Sequence, residues 1–131
     1  MNTRETSLDL FHKAEGIRRE LGHDFGMKDW NLVVRRAQEV VELALKAALR
    51  FSGIDFPKVH DVGKLFTDSA IQSRLSLTSP QGETLAQISS FLTSHRSAAF
   101  YVEEDYTEAQ AMDARQKADS VLEAIRPRFT P

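Results

Sequence analysis

The sequence predicts an all-α protein, an up-and-down four-helix bundle with one short additional helix. Three observations predict it. Apolar residues recur at three- and four-residue intervals along most of the chain, no stretch alternates apolar and polar with a period of two, and glycine, proline and capping signals punctuate the helical runs. No internal repeat or low-complexity linker divides the chain, so residues 1–131 read as one domain.

The first helix is expected from about Ser7 to Leu21, with Leu10, Ala14, Ile17 and Leu21 at helical spacing, Gly22 as its stop and His23 to Lys28 as a loop. The second runs from about Asp29 to Ser52 and stops at Gly53. On its wheel Trp30, Val33, Ala37, Val40, Val41, Ala44, Ala48 and Phe51 share one face, flanked by Val34, Leu43 and Leu45. Only a narrow stripe through Arg35, Glu39, Glu42, Lys46 and Arg50 stays polar, the pattern of a helix in the middle of a bundle. Residues 54–59 are non-helical around Pro57, because proline disfavours the α region for the residue before it. A shorter third helix is expected from His60 or Asp61 to Leu75, carrying Val62, Leu65, Phe66 and Ala70. Ser79-Pro80 signals the start of the fourth, with Leu85, Ile88, Leu92 and Ala99 on one face. After an acidic loop from Val102 to Tyr106, Thr107 and Gln110 have capping-box spacing. They open a last helix whose inner face is Ala111, Ala114, Ala118, Val121, Leu122 and Ile125, ended by Pro127.

The formal net charge of −2 provides no global basic field toward nucleic acid or anionic lipid, so RNA binding would need a local patch or a partner. The chain has no cysteine, which excludes disulfides and thiolate metal sites and suits a reducing compartment. Residues 1–7 lack the apolar core of a signal peptide, and no run reaches the ~20 residues needed to cross a bilayer, so a cytoplasmic setting is expected. His12, His23, His60 and His95 show no i, i+3 or i, i+4 pairing, and no metal or cofactor is expected. The glycines form neither a phosphate-binding loop nor a dinucleotide fingerprint.

The alanine-rich central helix with its Gln38-Glu39…Lys46 run, its glycine end, the His60-Asp61 pair opening the next element and Arg96 late in the fourth helix together resemble the HEPN family. These are small helical domains of prokaryotes named for nucleotide binding. The resemblance covers nearly the whole chain and implies a five-helix domain that dimerises. In ribonuclease-active HEPN proteins an arginine on this helix is followed four to six residues later by a histidine, and the pair cuts RNA without metal. Here Phe100, Tyr101 and Val102 occupy those positions and no histidine follows His95. The chain is thus similar to the branch in which a tyrosine follows that arginine, often associated with nucleotidyltransferase partners in pairs resembling toxin–antitoxin systems. The implied function is a non-catalytic, homodimeric module binding a nucleotidyltransferase-type partner, a nucleotide, or both. The alternative is a metal-independent RNA endonuclease using Arg96 with His95 or Tyr101, and a third reading is a helical assembly module without a ligand.

The candidate nucleotide- or partner-binding residues are Glu42, Lys46, His60, Asp61, His95, Arg96, Tyr101 and Arg115. Each also has a plain structural reading. Glu42 and Lys46 have the favourable i, i+4 order of a solvated helix pair. Asp61 can cap a helix, with His60 simply preceding it. His95 falls on the apolar face of the fourth helix, where a hydrogen-bonded core imidazole is the common outcome. Arg96, at the edge of that face, cannot lose its charge and needs a carboxylate, a phosphate or water. Tyr101 is a hydrogen-bond donor but a poor proton shuttle at neutral pH. Arg115 can lay its stem along the last helix with its head at the rim. Glu42, Lys46, His60, Asp61, Arg96 and Arg115 are expected to border one polar cleft with at least one late arginine reaching in. The small residues Ser89, Ser90, Thr93, Ser94, Ser97 and Ala98 allow close helix approach and place the dimer interface on the fourth helix.

Overall fold

The computed structural model of the protein describes residues 3–129, so the Met1-Asn2 start of the segment read against a signal peptide lies outside it. The elements are α1 (Thr3–Gly26), α2 (Trp30–Phe51), a 3-10 turn (Gly63–Thr67), α3 (Ser69–Arg74), α4 (Ser79–Phe100), α5 (Glu108–Ile125) and a final 3-10 turn (Arg126–Arg128). Among the described residues there is no strand, and no helix is long and apolar enough to cross a membrane.

α2 is the axis of the bundle, packing against α1, α4 and α5. No residue of it is fully exposed, and Val33, Ala37, Val40, Ala44, Leu45, Ala47, Ala48 and Leu49 are completely buried. Alanine at so many inner positions lets three helices approach at once, while branched Val40 and Val41 fill the gaps between their axes. Asp29 caps α2, its carboxylate accepting the Leu32 N–H, as the expected start near Asp29 implied. The α5 inner face is the one read from the sequence, with all six of its residues buried.

The chain runs up and down. The three-residue link between α1 and α2 forces them antiparallel. At the other end of the molecule Phe129 stacks on Phe11 and meets Phe51 edge-on, so the chain end returns to the start of α1 and the end of α2. Tyr106 and Glu104, between α4 and α5, bond Asn31 at the start of α2, which sets α4 antiparallel and α5 parallel to α2.

Four boundaries differ from the sequence expectation. Gly22 does not stop α1, which continues through the expected loop to Gly26. A glycine inside a helix costs roughly 1 kcal/mol. Continuing brings Phe25 edge-on to Trp30 and Asp24 to Arg36, and these contacts outweigh the intrinsic preference. The expected third helix is two pieces. Asp68 adopts an extended backbone and its carboxylate accepts the N–H groups of Ala70 and Ile71, so it ends the 3-10 turn and starts α3. Asp61 therefore caps no α-helix. The cap of α4 is Thr78 rather than Ser79, in a reciprocal box with Gln81, and Ser79-Pro80 are its first two residues. α5 stops at Ile125, two residues before Pro127, which lies inside the last 3-10 turn.

Glycine matters at the junction of these pieces. A Cβ on Gly63 would lie 2.5 Å from that of Ser89, so the 3-10 turn and α4 touch backbone to backbone. Ser89 is thereby buried inside the domain, while Ser90, Ser94 and Ser97 face outward.

Candidate functional site

The polar stripe of α2 does not face open water. Arg35, Gln38, Glu39, Glu42 and Leu43 lie along one side of α2 at helical spacing. Lys13 and Ile17 of α1, Arg96 of α4 and His60 of the 54–62 loop complete a cleft of ≈ 220 Å³.

Glu42 organises one wall. Its Oε2 accepts from Lys46 Nζ at 2.8 Å; its Oε1 accepts from Gln38 Nε2 at 2.9 Å and lies 3.0 Å from His60 Nδ1. Burial alone would push the Glu42 carboxyl up, but the hydrogen bonds from Lys46, Gln38 and His60, together with the Lys46 charge, outweigh it and hold the group below its ordinary value. An ionised carboxylate only accepts, so His60 Nδ1 carries the proton and Nε2 is left for other partners. Asp61 fixes that ring indirectly: its Oδ1 accepts from Ser89 Oγ at 2.6 Å and from Gly63 N–H at 3.1 Å, pinning the loop to α4.

The other wall is cationic and incompletely satisfied. Arg35 lies over the Phe100 ring at 4.2 Å, and its Nε, 3.9 Å from Glu39, is buried without a hydrogen bond among the described residues. Glu39 is shared, with Arg36 closer at 3.2 Å. Gln38 is 1% exposed and its Oε1 also has no hydrogen-bond partner among the described residues. Arg96 and Lys13 make no ion pair or hydrogen bond among the described residues, although both border the cleft. The two acids are thus already matched, while two cations, one buried guanidinium N–H and one buried amide oxygen are not. Such a site suits an anion that also carries a hydrogen-bond donor.

A family model described as HEPN domain matches residues 7–127. The chain belongs to the HEPN family. No curated protein and no solved structure matches it.

Of the candidates read from the sequence, this HEPN domain brings Glu42, His60 and Arg96 to one cleft, with Lys46 held on Glu42 and Asp61 supporting the loop. Three lie elsewhere. Arg115, expected at the cleft, sits over the Phe25 ring at 4.3 Å with Nη2 2.9 Å from Met112 Sδ, covering the α1–α2 corner. His95 lines a different cavity, because one residue of helix turns the side chain about 100° from Arg96. Its Nδ1 is 2.9 Å from the Tyr106 hydroxyl, and burial, reinforced by Glu104, pushes that phenol up to about 12. Tyr101 is 69% exposed, its ring edge-on to Phe100. Lys13, Arg35 and Gln38 join the site without being among the sequence candidates. The signal for Arg35 and Gln38 is their place in the central helix beside Glu42, whereas nothing in the sequence places Lys13 next to it. Among the described residues no group of three or more histidines and acids could hold a metal ion.

Proposed function

We propose that this HEPN domain is non-catalytic and binds a phosphate-bearing nucleotide in the α1–α2–α4 cleft, acting with a nucleotidyltransferase-type protein in a pair resembling toxin–antitoxin systems. The observation that carries the nucleotide reading is the unmatched set of Arg96, Lys13, Arg35 Nε and Gln38 Oε1 around one cleft. The cations take the phosphate, and Gln38 Oε1 accepts from a hydroxyl or amino group of the same molecule. Two or three cations give weak nucleotide binding rather than tight, sequence-independent RNA binding. Support for the partner comes from family membership and from the absence of a histidine four to six residues after Arg96. Exposed Phe91, Phe100, Tyr101 and Val102 on and just after α4 favour a homodimer or partner face there. A cytoplasmic setting goes with this reading.

Calorimetric titration with nucleoside triphosphates tests it. The wild type should bind at least one, and Arg96→Ala should weaken that binding about tenfold or more, the worth of a hydrogen bond to a charged group. An absence of binding to all of them would remove the nucleotide from the reading and leave the partner-binding scaffold.

The endonuclease alternative relies on His95 or Tyr101 beside Arg96, and neither lines the cleft. Metal-free incubation with a mixed RNA pool should therefore leave the RNA intact. Cleavage abolished by both Arg96→Ala and His60→Ala would instead make His60, whose Nε2 is uncommitted, the base of a ribonuclease.

A further inference from the structure

The segment joining α4 to α5, residues 101–107, is neither helix nor strand, yet it is tied down firmly. The Glu103 N–H donates to the Ala98 carbonyl at 2.9 Å. The Asn31 side chain grips the segment twice, accepting from the Tyr106 N–H at 3.2 Å and donating to the Glu104 carbonyl at 2.7 Å. These ties involve no charged group. The remaining one does: the hydroxyl of buried Tyr106 lies 2.9 Å from His95 Nδ1, and Glu104 Oε2 stands 3.8 Å from the same nitrogen. The loop needs such ties, because Val102 holds a φ of 55°, a left-handed conformation that a β-branched residue seldom adopts.

The Tyr106 hydroxyl has two side-chain acceptors, His95 Nδ1 and the Glu104 carboxylate. Burial, then the hydrogen bond and charge of Glu104, push the phenol up to about 12, so it keeps its proton at any physiological pH. A neutral imidazole leaves that hydrogen a choice of acceptor. A protonated one carries hydrogen on both nitrogens and accepts at neither, so Nδ1 donates to the phenol oxygen and the hydroxyl turns to Glu104. His95, Tyr106 and Glu104 then form one chain from cation to anion, in which each bond is charge-assisted. The other charges nearby leave this chain intact. On α5, Asp113 is paired with Lys117 at 2.6 Å, and Lys117 Nζ lies over the Phe91 ring on which His95 packs. α2 presents apolar Val34 to the imidazole, and Arg96 of α4 borders the other cleft. Glu103, 3.4 Å from Ser97 Oγ, adds a second negative charge close to Tyr106.

We propose that His95, Tyr106 and Glu104 are a pH-operated latch on the α4–α5 loop: protonation of His95 draws Glu104 in and fastens the loop to α4, and deprotonation leaves the loop to its uncharged ties. An imidazole is the side chain that ordinarily changes charge between about pH 5 and 8, so the latch works in the range where the acids and the phenol around it do not titrate. What it steadies is the turn that displays exposed Tyr101 and Val102. The inference is independent of the phosphate cleft and needs no ligand.

Amide hydrogen exchange on the full chain, read by NMR at about pH 5.5 and about pH 8 and corrected for the intrinsic exchange rate, tests it. The Glu103 and Tyr106 amides report the loop, since their acceptors, the Ala98 carbonyl and Asn31 Oδ1, do not titrate. The Leu77 amide, bonded to the Gln72 carbonyl ahead of α4, is the reference that removes any global change of stability with pH. Relative to it, the two loop amides should be protected about threefold more at the lower pH, in the range that a partly exposed ion pair gives. Glu104→Gln should abolish the difference, and so should His95→Gln. Their side chains are 58% and 30% exposed, so both variants should keep the wild-type helical circular dichroism. Tyr106→Phe, which removes the middle oxygen of the chain, should shrink the difference. Equal protection at both pH values would overturn the proposal, as would a difference that survives Glu104→Gln or His95→Gln. A difference of full size in Tyr106→Phe would overturn the part given to Tyr106.

Discussion

Gly82→Ala will cost the fold about 3 kcal/mol, the sum of an overpacked contact and a lost buried hydrogen bond. Gly82 lies in the first turn of α4, fully covered by the 3-10 turn and α3. A Cβ there would sit 2.2 Å from the Phe66 carbonyl oxygen and 2.5 Å from Gln72 Nε2. Those two atoms already bond each other at 2.9 Å, and Gln72 is 7% exposed. The intruding methyl must part them, and neither has water to turn to. Urea unfolding monitored by circular dichroism should show a lower midpoint with an unchanged slope. Gly26→Ala is the control. A Cβ there meets nothing within 4 Å and the residue is helical, so stability should rise by about 0.5 kcal/mol. Equal midpoints for Gly82→Ala and wild type would mean that α4 does not rest on the Gln72–Phe66 bond.

Glu42→Gln will lower stability by about 2 kcal/mol near neutral pH, because Lys46 and His60 lose a carboxylate and Lys46 keeps its charge in a half-closed site. The side chains of Glu42 and Lys46 are only 15% and 13% exposed, so solvent screens the pair little. The effect depends on pH with a definite sign. Folding depresses the Glu42 carboxyl below its ordinary value of 4.5. Its contribution is therefore complete above about 4.5 and is lost as pH falls through the folded value. Wild-type and Glu42→Gln unfolding midpoints should differ most near neutrality and converge in acid. Adding Lys46→Met to a Glu42→Leu background should recover part of the loss, since an apolar pair leaves no charge unmatched. A gap that stayed constant down to strongly acidic pH would show that Glu42 acts through packing alone.

The inner faces of α2 and α5 can be read directly, since each follows one helical period over many residues and alanine or valine recurs on every turn. The Thr107–Gln110 box is legible for a similar reason: both partners are three residues apart, and their hydrogen bonds are local. Gly22 and Asp68 mislead because tertiary contacts and a local side-chain bond decide them. Nothing near Gly22 in sequence reports that Arg36 will stand opposite Asp24. The 60–75 segment has helical spacing on both sides of Asp68, and only the carboxylate bonding its own downstream N–H groups breaks it. The cleft is half legible. Glu42, His60 and Arg96 follow from the family pattern, but a wheel for one helix does not say which neighbour stands beside it. Lys13 therefore carries no signal, Arg115 is expected at the wrong end of the bundle, and His95 and Arg96 read as one pair although adjacent helical residues look in different directions.

A helix enclosed along its whole length, as α2 is, ties the cleft to the folding equilibrium of the entire domain. Arg35, Gln38 and Glu42 cannot loosen without disturbing Val34, Ala37 and Val41 one residue away, so no partial opening of α2 leaves a competent site behind. Any molecule that seats itself there must bind the native state and ignore the unfolded one. It then stabilises the fold through mass action, by about 2.7 kcal/mol when its concentration is a hundred times its dissociation constant, and the melting temperature rises accordingly. Heating this chain in the presence of candidate ligands is accordingly a survey of the cleft that works even while its natural occupant is unidentified.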